Sequence, residues 1–170
     1  MKIMFRAFIA LTLILALFCG CGKEPTPEEA LAKLDMTKAE LSVADLTKSL
    51  AESLTFADTP TKIENEIALI LYNLDGMCEE ISAYGSTGAT AEAVVAVRCA
   101  DAETAGKVYD ILHTYRSEMA EIYSRYNTVE SEKLIHSLLR RDGKYVFYCV
   151  SPDTPAAEAA YVAYVVANAK

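Results

Sequence analysis

An antiparallel α+β fold is what residues 41–170 predict, on three observations. Apolar residues recur every three or four positions from Ala105 to Tyr126, which marks a long amphipathic helix. Two stretches, 78–100 and 132–153, alternate with period two around turn-forming residues, which marks β-hairpins. Shorter helical patterns stand before the first hairpin and after the second. The expected architecture is a sheet of about four strands built from two hairpins. It packs against a long central helix and a C-terminal helix, and two N-terminal helices precede it. A composition of 52% apolar and 24% charged residues suits a packed core and argues against disorder.

The elements follow in chain order. Val43, Leu46, Leu50 and Leu54 lie at helical spacing behind Ser42, a good N-cap, and Pro60 marks the break after them. Residues 61–76 read as a second helix capped by Thr61, with Ile63, Ile67, Ile70 and Leu74 on one face and Asp75-Gly76 closing it. Residues 78–86 and 92–100 read as strands joined by "STGAT". In the second, Val95, Val97 and Cys99 face one way and Val94, Ala96 and Arg98 the other. Asp101 caps the long helix, whose stripe is Ala105, Val108, Leu112, Tyr115, Met119, Ile122 and Tyr126. In 132–153, Asp142-Gly143 is a strong hairpin signal. Tyr145, Phe147 and Cys149 then oppose Val146, Tyr148 and Val150, and His136 alternates with Leu134 and Leu138. Thr154 and Pro155 open a last helix over 155–168.

The N-terminus carries a different message. Lys2 and Arg6 precede an apolar run of 12 residues, Ala7–Phe18, too short to span a bilayer but matched to a secretion signal. The run ends in "LFCGC" (17–21), which resembles the lipobox of bacterial lipoproteins, where a cysteine receives a diacylglycerol before cleavage. Cys21 is the expected acceptor, because small Gly20 precedes it, whereas acceptance at Cys19 would put Phe18 at the cleavage position. The domain plan is therefore a signal peptide over 1–20, a lipid-anchored tether over 21–40 and one α+β domain over 41–170. The expected location is the outward face of the cell membrane, held by the lipid on Cys21.

Formal charge is −8, and removal of Lys2 and Arg6 leaves 14 basic and 24 acidic residues, a net of −10. That balance disfavours nucleic acid and flat adsorption to anionic lipid.

The remaining chemistry is sparse. Cys78, Cys99 and Cys149 match no zinc spacing and no CxxC, so no metal or cofactor is expected. Cys99 and Cys149 would pair only if their strands were neighbours; otherwise they act as small buried hydrophobes. His113 and His136 lack metal-spaced partners and read as structural or exposed. Glu79-Glu80 and Glu130/Glu132 read as solvated acidic faces. Lys133, Arg140, Arg141 and Lys144 form a basic island that either solubilises a hairpin or meets an acidic partner. Ten tyrosines and no tryptophan suggest rings at the border of the core, or a recognition surface.

Residues from about Leu46 to Val162 resemble a bacterial lipoprotein family known as domain of unknown function 4358. The resemblance rests on "YGSTGATAEAVVAVRCADAETA" (84–105), on the helix running to Tyr126 and on "GKYVFYCVSPD" (143–153). The chain departs from that pattern after Tyr126, where "NTVE" replaces a common proline, so a different helix exit is expected. The resemblance implies a lipid anchor and this fold, and no activity. The expected function is a non-catalytic binding or envelope-associated module with a protein or envelope partner. The alternative is an envelope enzyme whose residues are scattered, using His113 or His136 with an acidic partner.

Overall fold

The alternation in 145–150 separates two cores. Tyr145, Phe147 and Cys149 enter one, while Val146, Tyr148 and Val150 enter the other, on the opposite face of the sheet. A computed structural model describes residues 25–170, so the signal over 1–20 and Cys21 lie outside the described residues. The elements are α1 (Pro27–Leu31), α2 (Val43–Ser53), β1 (Thr61–Ile63), α3 (Asn65–Leu71), β2 (Glu80–Gly85) and β3 (Ala93–Arg98). Then come α4 (Ala102–Ser124), α5 (Thr128–Ile135), β4 (Leu138–Asp142), β5 (Tyr145–Val150) and α6 (Thr154–Asn168). The fold is α+β, with an antiparallel sheet of five strands in the order β1-β2-β3-β5-β4. Helices cover both faces: α1, α2 and α6 on one, α3, α4 and α5 on the other.

The fifth strand corrects the expected count of about four. Thr61–Ile63 is no helix start; it pairs with β2, Ile63 opposite Ala83 and Thr61 opposite Gly85. The open edge of β2 offers backbone partners that a first helical turn without a side-chain cap cannot match, and Glu64 provides no such cap. The helix that follows is short, and it buries Ala68, with Tyr72 and Leu74 just beyond it. Of the expected stripe Leu74 is buried and Ile63 packs on the core, but Ile67 and Ile70 are turned outward, 58% and 79% exposed.

A second correction falls at 132–135, expected as part of the second hairpin stretch but folded into α5. Asn127 caps it by accepting from the Glu130 amide, which explains how the chain leaves α4 without a proline. His136 is the C-cap of α5 and not a strand residue. Asp101 and Ser42 cap α4 and α2 as expected, but Asp153, not Thr154, caps α6. The stripe of α4 holds through Leu112 and then turns toward α5, burying Ala120 and Tyr123 while Ile122 and Tyr126 are exposed.

The tether expected over 21–40 is corrected from residue 25 onward. Thr26 and Glu29 form a capping box at α1. Leu31, Met36 and Ala39 are buried in the core under α6. The Tyr145 hydroxyl donates to the Ala39 carbonyl at 2.9 Å and accepts from the Leu41 amide at 3.0 Å. The Glu40 and Lys170 backbones exchange hydrogen bonds, at 2.8 and 3.2 Å. The β4–β5 turn closes against this segment. Gly143 has φ +56°, and a Cβ there would collide with the Met36 backbone.

Candidate functional site

Between α3 and α4 the sheet is incompletely covered, and a cleft reaches its surface. The inner hollow, about 190 Å³, is bordered by Ile63, Leu71, Tyr72, Tyr115, Met119 and Tyr148, with the 85–93 segment at one end. A second hollow of about 430 Å³ opens outward between the helices, past Asp110, Ile111, Thr114 and Glu118. Leu71, Tyr72 and Tyr115 border both. The Tyr72 and Tyr115 rings meet edge to face with centroids 4.9 Å apart and form the saddle between the hollows. Tyr148 approaches each at 6.5 Å, also edge to face.

Local sequence explains the placement. Tyr148 is an alternating residue of β5, opposite Val95 of β3 and Leu139 of β4, so its ring rises from the sheet under α4. Tyr115 and Met119 are one turn apart on α4, and Tyr72 is the C-cap of α3. Burial raises the pKa of Tyr72, Tyr115 and Tyr148, so all three stay neutral and able to donate. Among the described residues, the Tyr148 hydroxyl is the one buried side-chain oxygen or nitrogen with no hydrogen-bond partner. The neighbouring Ser137 hydroxyl donates to the Leu134 carbonyl instead.

The inner end of the cleft is held by a buried ion cluster. Glu92, fully buried, accepts from Lys133 at 2.8 Å and, through Oε2, from the amides of Ala57 and Asp58 at 2.9 Å each. Lys133 also meets Glu130 at 2.8 Å, and Glu130 accepts from the Ala91 amide at 2.9 Å. Burial by itself would raise the Glu92 carboxyl, but the Lys133 ammonium and the two amides outweigh it and hold its pKa below the ordinary value. The cluster joins two loops and α5 and is satisfied internally, so it shapes the cleft instead of offering a free charge to it.

The residues singled out in the sequence are dispersed. Cys21 lies outside the described residues. His113 is exposed and stacks on Tyr109; His136 is exposed, 3.4 Å from Glu132; neither borders the two hollows. Cys99 and Cys149 lie on neighbouring strands but enter opposite cores; both are free, as is half-buried Cys78. Burial pushes the Cys99 and Cys149 thiols up to about 12. Among the described residues no three His, Cys, Asp or Glu side chains gather in a metal-binding group.

The basic island separates into structural ties. Lys133 belongs to the buried cluster. Arg140 bonds Asp142 at 2.7 Å and Glu28 at 3.1 Å. Lys144 bonds Glu40 at 2.9 Å. Glu130, expected as solvated, is buried. Glu79 and Glu80 both reach Arg98.

Two features escaped the sequence reading. Glu92 stood as the leading residue of a strand, with nothing local to announce a lysine 41 positions later. Tyr148 was placed on the correct face, but its approach to Tyr72 and Tyr115 depends on how α3 and α4 sit on the sheet.

No described helix is long and apolar enough to cross a membrane. Residues 53–151 match the family model described as Domain of unknown function (DUF4358). No curated protein and no solved structure matches the chain.

Proposed function

The chain belongs to the DUF4358 family, and on that premise we propose that it is a lipid-anchored, outward-facing binding module of the cell membrane that works without catalysis. The observation that carries the binding reading is the cleft, bordered by three edge-to-face tyrosines. Neutral aromatic walls suit recognition. The anchor rests on "LFCGC" (17–21), with Cys21 as the acceptor. The partner is a protein or envelope component outside the membrane. The acidic balance of the chain speaks against nucleic acid.

Two experiments test this. Cys21→Ala should abolish incorporation of labelled fatty acid and release the protein from membranes; labelling that persists there and vanishes in Cys19→Ala moves the anchor to Cys19. A photo-crosslinking residue at Thr114, on the rim of the outer hollow, should yield a discrete adduct in intact cells that Leu71→Glu abolishes. An adduct indifferent to Leu71→Glu, or none at all, sinks the cleft as a binding site.

A further inference from the structure

We infer that the cleft seats a short, extended, basic peptide segment of an extracytoplasmic partner, one apolar or aromatic side chain filling the inner hollow and its lysines or arginines meeting Asp110 and Glu118. This deepens the binding reading above and rests on it.

Four observations select that occupant. Asp110 and Glu118 both border the outer hollow, and neither has a salt-bridge partner among the described residues. Among the described residues, no Lys, Arg or His borders either hollow. The rim is therefore a negative edge on a chain of formal charge −8, which favours a cationic guest. On the α3 side the cleft is bordered by Leu71 and Tyr72, and Ile67 and Ile70 lie exposed on the same helix outside both hollows. At the inner end the Tyr148 ring borders the hollow, edge to face with Tyr72 and Tyr115, an aromatic floor for one apolar side chain.

Dimensions fix the rest. From Asp110 to Tyr123 the α4 wall runs roughly 20 Å, the reach of about six extended residues. The inner hollow of about 190 Å³ admits one large side chain, not a folded element. The Tyr72–Tyr115 saddle gives the segment a flat aromatic bed between its anchor and its charges.

The test uses the full chain reconstituted in phosphatidylcholine nanodiscs, a zwitterionic surface that does not itself collect cations. Two capped, fluorescent hexapeptides are titrated: one carries a terminal tyrosine and two lysines, the other the same tyrosine and two glutamates. Each is made in both chain directions, and binding is read by anisotropy. The lysine peptide should bind about tenfold or more tighter, the ratio that two rim contacts of modest worth supply. Its affinity should fall as salt rises from about 0.05 to 0.5 M. Asp110→Asn combined with Glu118→Gln should lower that affinity about fivefold at unchanged Tm, both positions being exposed.

Equal binding of the two peptides overturns the inference, as does lysine-peptide affinity that the Asp110/Glu118 double variant leaves untouched. If neither peptide binds, the basic-peptide inference falls. The Thr114 crosslink then decides the broader reading: a Leu71-dependent adduct keeps the cleft as a binding site for another guest, and its absence removes both.

Discussion

The ammonium of Lys133 lies 2.8 Å from the carboxylate of Glu92, across 41 positions of sequence and inside the protein. The pair ties α5 to the segment that ends the cleft, so its titration is a direct probe of the fold. Glu92 is held below its ordinary 4.5 in the folded state. Its contribution to stability is therefore fully present above that value and is lost as pH falls through the lowered one. Lys133 is held above its ordinary 10.5: burial alone would lower it, but Glu130 and Glu92 outweigh that. Its contribution is present below 10.5 and is lost as pH climbs through the raised value. Chemical denaturation against pH should show a plateau between about pH 5 and 10 with a fall on each side. Lys133→Ala strands two buried carboxylates and should cost about 3–5 kcal/mol at pH 7. A loss under about 1 kcal/mol would mean that the cluster is hydrated and contributes little.

Gly143 turns the β4–β5 hairpin in the left-handed region, against the Met36 backbone. Gly143→Ala meets both the cost of that conformation for an L-residue and the collision with Met36. The expected destabilisation is about 2 kcal/mol or more, read by urea unfolding. Limited proteolysis should then open the chain near residues 32–40, the segment the turn holds down. Wild-type resistance there would mean that α1 and its buried Leu31 suffice alone.

Truncation measures the same segment from the other side. Leu31 and Met36 are nearly fully buried, and each should contribute about 1.5–3 kcal/mol. A fragment starting at residue 25 should unfold at clearly higher urea than one starting at 41. Coincident midpoints would reduce residues 25–40 to a surface strap.

The three described thiols should be inert in the native state. Burial raises all three thiol pKa values, and Cys99 and Cys149 occupy opposite cores. At pH 7.5 a maleimide should label them slowly, Cys78 first, and all of them at once in guanidinium. Oxidation should form no bridge between Cys99 and Cys149, and a loss of 2 Da on that pair by mass spectrometry would contradict the sheet register.

The parts of the fold that were legible in the sequence are those decided locally. The period-two alternation of 94–97 and 145–150 assigned each side chain to its correct core, because these residues are buried on both faces of the sheet. The caps at Ser42 and Asp101 were legible because an N-cap bond spans three residues. The misread elements are those decided by distant partners. Thr61–Ile63 extends because β2 has an unpaired edge. Ile67 and Ile70 mimic a core stripe, and among the described residues none covers them. Lys133 resembled a hairpin charge because Glu92 is far off in sequence. The cleft was invisible for the same reason: its tyrosines come from α3, α4 and β5, and only packing brings them together.

The strand order carries a consequence for how the chain reaches this state. The β2–β3 and β4–β5 pairings are hairpins that close locally, whereas β3 and β5 join residues roughly fifty positions apart across α4, α5 and β4. The loop-closure entropy is concentrated at that one seam, where Ala96 faces Phe147 and Val97 faces Val146. Until it zips, each hairpin exposes a largely apolar edge strand, β3 on one and β5 on the other. Synthesis releases the second hairpin after the first, so a nascent chain carries an open β3 edge until β5 emerges. That interval is when the molecule is most exposed to aggregation, before any ligand can matter to it.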